Sequence, residues 1–87
     1  MVSLVIYDIP DDRLRAKVAD ICLDYGLERI QYSAFLGDMN HNRREELLQK
    51  IKRKIGSNDA NVQLFPICEK DIRLRKEIRV EGKGGRG

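Results

Sequence analysis

Apolar residues cluster at the start of the chain, where Val2, Leu4, Val5, Ile6 and Tyr7 run up to an abrupt stop at Asp8. β-Branched, leucine and aromatic side chains in such a run predict a strand packed on both faces. Pro10 cannot continue a sheet ladder, and Asp11 or Asp12 can cap a helix starting there. The period then changes. Leu14, Val18, Ile21, Cys22 and Tyr25 recur at helical spacing and predict a helix over about residues 12–25, with Gly26 suited to the position just past its end. Residues 27–39 read as extended chain, with Ile30, Tyr32, Ala34, Phe35 and Leu36 interrupted by Gln31 and Ser33. Thirteen residues is long for one strand, so a tight hairpin near residues 31–33 is expected, one long bent strand being the alternative.

The second half repeats the alternation of helix and strand. Asn42 followed by Glu45 resembles a capping box, and Leu47, Leu48, Ile51 and Ile55 form the stripe of a helix over about residues 43–55. Residues 60–68 read as a strand carrying Val62, Leu64 and Phe65, with Pro66 pointing to an edge or a bulge. Residues 71–75 make a short turn or helical twist. In residues 76–81, Ile78 and Val80 alternate with charges, which predicts a final strand. The order β-α-β-β-α-β matches an α+β, ferredoxin-like fold, two helices on one face of an antiparallel sheet, here with an extra C-terminal strand. Residues 1–81 then form a single domain and residues 82–87 a flexible, basic, Gly-rich tail. A charged strand after a complete domain has an edge to pair with, and pairing across a two-fold axis predicts a homodimer. The fold hosts many functions. The aromatic-rich central strands of an RNA-recognition domain are missing, which argues against that class.

Composition narrows the class. With 87 residues, 41% hydrophobic and 36% charged, the chain is expected to be one soluble globular domain. No apolar run approaches the roughly 20 residues of a membrane helix, and no signal peptide is recognisable at the N-terminus. Cys22 and Cys68 lie far apart in no metal spacing and are expected to sit reduced in the core of a cytoplasmic protein. His41, the single histidine, reads as a surface residue in a polar turn. The net charge of +3 is unevenly spread: residues 1–42 carry −3, residues 43–54 carry +4, residues 55–69 carry −2 and residues 70–87 carry +4. Two basic segments brought together would attract phosphate; two solvated faces without a partner are the alternative.

The first strand delivers Asp8 to the edge of the sheet, where ligands are often bound; the reading favoured by the residues alone is that it caps the next helix or closes a turn. Arg13, Arg15 and Lys17 follow in the first turns of the helix, where a cation opposes the helix dipole, so their placement hints at another use such as phosphate contact.

These residues carry a resemblance. The strand end Val5-Ile6-Tyr7-Asp8-Ile9, then Asp11-Asp12 with Arg15, Lys17 and Val18, then Gly26-Leu27-Glu28-Arg29-Ile30-Gln31-Tyr32-Ser33-Ala34-Phe35 are similar to the CRISPR-associated protein two family. The similarity runs from the first strand through Cys68. The combination of the Tyr-Asp-Ile strand end with Arg-Ile-Gln-x-Ser-x-Phe is fairly specific, and either half alone would be weak. The resemblance implies a ferredoxin-like homodimer with two Asp8 residues facing each other near the two-fold axis. It implies an architectural role in spacer acquisition, bridging dimers of the CRISPR-associated integrase and holding DNA. It also implies a metal-dependent endonuclease acting on single-stranded RNA and, in some members, double-stranded DNA. Asp8 matches the family's metal-binding aspartate, and Tyr7, Arg15, Arg29, Ser33 and Phe35 match positions tied to activity or its support. Lys17 stands where relatives carry arginine, which puts a bidentate phosphate contact there in doubt.

Chemistry supports the same expectation. Phosphodiester hydrolysis needs an activated water and neutralised phosphate charge, and a magnesium ion or another divalent cation supplies both. One aspartate per chain is a poor site; two Asp8 side chains across a dimer axis could hold one ion, with Arg15, Lys17 and Arg29 positioning phosphate. Asp11 and Asp12 are favoured as helix caps over further ligands. Arg43, Arg44, Lys50, Arg53 and Lys54, with Arg15 and Lys17, are the candidate nucleic-acid-binding side chains. Two readings stand: a metal-dependent nuclease centred on Asp8, and a non-catalytic nucleic-acid scaffold in which Asp8 is structural. A small regulatory ligand-binding domain is a third, disfavoured by the basic cluster at residues 43–54.

Overall fold

In the computed structural model, which describes residues 1–81, the chain runs β1 (Val2–Asp8), α1 (Asp12–Asp24), β2 (Glu28–Gln31), β3 (Ala34–Asp38), α2 (His41–Ile55), β4 (Asn61–Ile67) and α3 (Glu69–Arg73). The four strands form one antiparallel sheet in the order β2-β3-β1-β4. This is the expected β-α-β-β-α-β arrangement, with β1 at the centre.

Capping chemistry sets the helix ends. Asp11 Oδ1 accepts from the Leu14 backbone N–H at 2.9 Å and opens α1, as favoured from the sequence. Gly26, at φ 82°, takes the chain out of that helix in a conformation that a side chain would resist. The N-cap of α2 is Asn40, whose Oδ1 accepts from the Arg43 backbone N–H at 2.8 Å, not Asn42. The helix therefore begins two residues earlier than the capping-box pattern suggested: Asn40 has the extended backbone that a cap needs, while Asn42 is already helical. Lys52, Arg53 and Lys54 occupy the last turn of α2, where cations suit the helix dipole.

Val5, Tyr7, Leu14, Val18, Cys22, Phe35, Leu47 and Ile51 make the core between the sheet and the helices. Burial alternates along β1, with Ser3, Val5 and Tyr7 buried and Leu4 and Ile6 only half-buried. The first strand is thus packed on one face and not on both, because both helices lie on the same side. The hairpin turns at Tyr32 and Ser33, as expected. Pro66 lies in β4, which is an edge strand, so its missing N–H costs the sheet no ladder bond on the free side. Cys22 is in the core, but Cys68 is exposed at the start of α3, where its thiol lies 3.1 Å from Asp71 Oδ2. Residues 76–81 form no strand within the chain; Ile78 and Val80 are 93% and 85% exposed. A strand exists only in a ladder, and here Arg75, Glu77 and Arg79 lie beside Glu28, Arg29 and Ile30 of β2 without pairing to it. The expected tail over residues 82–87 falls outside the described residues.

Gly37 on β3 is where the backbone comes closest to a neighbour. A Cβ there would lie 2.6 Å from Leu27 Cδ2 and 3.2 Å from Leu27 Cα. Leu27 is buried, so it has little room to give. Gly37→Ala is therefore expected to destabilise the fold by about 1–3 kcal/mol, read as a lower urea midpoint with an unchanged m-value.

Candidate nucleic-acid site

Two groups of candidate side chains meet at the C-terminal end of β1, on opposite faces of the sheet. The first surrounds Asp8. Alternation along β1 places Asp8 on the face away from the helices, with Leu4 and Ile6, and leaves it exposed. It pairs across the ladder with Asn61, and Ile6, Tyr7, Asp8, Asn61 and Gln63 line one shallow recess. Gln63 Nε2 donates to Asn61 Oδ1 at 3.1 Å. Asn61 and Gln63 were not singled out from the sequence, although polar residues at alternate positions of β4 carry the signal. The same face is apolar further along, where Leu4 pairs with both Leu36 and Phe65.

The second group lies on the helix side. Ser33 C=O accepts from the Tyr7 backbone N–H at 3.1 Å and fixes the hairpin turn beside the end of β1. The Tyr7 and Phe35 rings stack in the core with centroids 6.2 Å apart and planes 19° apart. Both are buried, Phe35 completely, so they support the site from below. The Tyr7 hydroxyl has no hydrogen-bond partner among the described residues. Arg29 lies over the Phe35 ring at 5.1 Å and over Tyr32 at 5.9 Å. A register irregularity between Arg29 and Gln31 leaves Ile30 outside the ladder and turns this part of β2. The Arg15 guanidinium donates to Ile9 C=O at 2.7 Å, pairs with Asp12 and lies 5.4 Å from the Tyr32 ring centre. These contacts account for a cation in the first turns of α1: it pins the loop that follows Asp8. Lys17 is exposed on α1.

The structure thus gathers Tyr7, Arg15, Arg29, Ser33 and Phe35 around Tyr32, and places Asp8 around the strand end from them. Asp11 is occupied as a cap and Asp12 by Arg15. Among the described residues no three His, Cys, Asp or Glu side chains are grouped to hold a metal ion. A lone Asp8 carboxylate does not make a cation site by itself. On α2, Lys50, Arg53 and Lys54 share an open recess. Arg43 and Arg44 are engaged elsewhere: Arg43 lies 4.4 Å from the Tyr25 ring centre and Arg44 Nη1 donates to Met39 C=O at 3.0 Å.

Against this geometry, comparison with known proteins is decisive. The family model for CRISPR associated protein Cas2 matches residues 1–75. The chain belongs to the Cas2 family. It is 54% identical over 80 residues to the CRISPR-associated endoribonuclease Cas2 of Desulforudis audaxviator, spanning 92% of this chain and 76% of that one. It is 47% identical over 85 residues to the protein of that name from Korarchaeum cryptofilum, spanning 97% and 89%. A Cas1/Cas2 fusion endonuclease of Thermoproteus tenax is 38% identical over 72 residues, which are 83% of this chain and 27% of the fusion. The fold superposes on Streptococcus pyogenes Cas2 with a TM-score of 0.78 at 20% identity, covering 91% of this chain and all of that one. No helix among the described residues is long and apolar enough to cross a membrane.

Burial beneath the site has a consequence for pH. The Cys22 thiol is pushed up to about 12 by burial, and burial also raises the Tyr7 phenol, with Arg29 opposing. Both groups keep their protons in the folded chain at pH values where the unfolded chain releases them. The contribution of Cys22 is complete below the ordinary thiol range near pH 9 and is lost as pH rises from there towards 12, and Tyr7 adds in the same direction above the ordinary phenol range. Denaturation midpoints are expected to fall across that window, and Cys22→Ala should flatten the fall by up to about 1.4 kcal/mol per pH unit.

Proposed function

We propose that the protein is a divalent-metal-dependent endoribonuclease of the CRISPR adaptation machinery, active as a homodimer in which two Asp8 carboxylates form one site. The observation that carries this reading is the composition of the open sheet face: apolar at Leu4, Leu36 and Phe65, polar at Asp8, Asn61 and Gln63. Half-buried apolar side chains on such a face call for a cover, and a second copy related by a two-fold axis would supply an identical one. That docking would bring Asp8 against its own symmetry mate. Magnesium keeps several waters and takes one or two carboxylates, so the pair would suit it where a lone Asp8 does not; when bound, the ion would supply charge neutralisation and an activated water. The chain's own residues do the rest. Asn61 and Gln63 border the recess, and Arg15 and Arg29 hold cationic charge at the same end of the sheet. Residues 76–81, exposed and in no ladder among the described residues, are available to add a strand to a second copy. The relatives named as endoribonucleases favour RNA as substrate, and the fusion favours an integrase of the Cas1 type as working partner in the cytoplasm.

A second reading, a scaffold that holds duplex DNA, is favoured by α2. Lys50, Arg53 and Lys54 share a recess with no aromatic side chain in its lining. Such a face tracks phosphates and does not read bases.

Asp8→Asn separates the readings. Asn keeps the shape and can still cap, but it loses the charge that holds a cation. It is expected to abolish chelator-sensitive RNA cleavage while leaving sedimentation as a dimer and DNA binding intact. Full cleavage by this variant would remove Asp8 from the reaction, and a wild type inactive with every divalent metal would leave the scaffold. Reversing Lys50, Arg53 and Lys54 to Glu together should weaken duplex binding and make its log–log salt dependence shallower by roughly two to three.

A further inference from the structure

Tyr32 sits on the turn between β2 and β3 with 69% of its surface exposed, more than any other aromatic side chain of the chain. A tyrosine so exposed contributes little to the core, yet its ring is held. Arg15 stands 5.4 Å from its centre and Arg29 5.9 Å. Each guanidinium is anchored in turn: Arg15 by Ile9 C=O at 2.7 Å and by Asp12, Arg29 over the Phe35 ring at 5.1 Å. The turn itself is tied to β1 by the bond from Tyr7 N–H to Ser33 C=O. An aromatic ring held beside two anchored cations, with 69% of the residue's surface still open to solvent, is the combination that grips a single strand: ring surface for a base, and charge for the phosphates beside it.

We infer that Tyr32 is a stacking platform for an unpaired nucleobase of single-stranded nucleic acid, with Arg15 and Arg29 facing the flanking phosphates. The inference rests on the reading of the chain as a nucleic-acid-processing protein, and adds to it the place where the strand is held. Bases within a duplex are stacked on one another and offer no free face, so the platform discriminates by pairing state and not by sequence. Arg29 extends the path. Beyond it, Arg75 and Arg79 share with it a recess of about 170 Å³, bordered by Glu28 and Glu77. Folding brings one exposed ring to two arginines that are 17 and 3 positions away from it.

The test uses the full-length protein in the presence of chelator, so that binding is read without cleavage and stands apart from whether Asp8 is catalytic. Labelled single-stranded RNA, single-stranded DNA and duplex DNA of one sequence are titrated by anisotropy. Tyr32→Ala should weaken binding of a single strand by roughly ten-fold, while Tyr32→Phe stays within about two-fold of wild type and duplex binding changes by no more than that. Loss on either single strand supports the platform, and the larger loss identifies the preferred sugar. Tyr32→Trp introduces a tryptophan into a chain that has none. Its emission should be quenched by the single strand and not by a strand whose bases are replaced with abasic sites. Unchanged single-strand binding by Tyr32→Ala, an equal loss on duplex, failure of the wild type to bind single strands, or quenching by the abasic strand would each overturn the inference.

Discussion

The two-sided ladder of β1 is the constraint on which the other features depend. This strand pairs with β3 from Val2↔Asp38 to Ile6↔Ala34 and with β4 from Val2↔Ile67 to Asp8↔Asn61. Side chains alternate with a period of two, so a slip of one residue would turn Val5 and Tyr7 outward and bring Leu4 and Ile6 into the core. Complete burial of Val5 against Phe35 fixes the register. Removing a buried side chain of that kind from water is worth about 1.5–3 kcal/mol, more than the few tenths to 1 kcal/mol of an exposed ion pair such as Arg43–Glu46. The position of Asp8 is therefore set by hydrophobic packing several residues away and not by its own contacts.

The same ladder explains how one strand end can carry two different kinds of chemistry. Tyr7 points to the helices, where it stacks on Phe35 and supports Arg29 through that ring. Asp8 points to the open face, beside Asn61. Adjacent residues in a strand cannot share a face, so the carboxylate and the arginine–aromatic group are held apart by the sheet itself. A strand that passes around the end of the sheet can meet both. A ligand confined to one face cannot.

Much of this was legible from the sequence because local signals and tertiary packing agree. Leu14, Val18 and Cys22 gave the buried stripe of α1, Asp11 its cap, and Gln31 with Ser33 the hairpin. The misreadings share a cause, which is that one-dimensional patterns do not say what stands opposite. Leu4 and Ile6 look as buried as Val5 until both helices prove to lie on one side. Ile78 and Val80 alternate like a strand whose expected partner was a second copy, and among the described residues no edge of the sheet pairs with them. Cys68 looks like a core residue and ends exposed because β4 closes the sheet and the chain turns outward into α3. Of the candidate site residues, Tyr7, Arg29, Ser33 and Phe35 came through a resemblance and Arg15 also from its place in the first turns of the helix, while Asn61, Gln63 and Tyr32 were not singled out. Two of those three stand beside a neighbour distant in sequence: Asn61 beside Asp8, and Tyr32 beside Arg15.

The division of the open face into an apolar part and a polar end bears on why so small a domain would work as a pair. A chain of 87 residues buries a limited core, and leaving Leu4, Leu36 and Phe65 half-covered forfeits some of what it has. Covering them with a second copy would recover that burial, and the symmetry of the contact would then duplicate whatever stands at its margin. A single exposed aspartate cannot hold a hard cation against water, but two related by an axis supply the carboxylates such an ion takes while leaving room for its waters. On the proposed reading assembly and chemistry would be one requirement: the apolar residues that drove the pairing would also bring two Asp8 carboxylates together. A substitution at Phe65 would then act on the site without touching it, through the distance between the two Asp8 side chains.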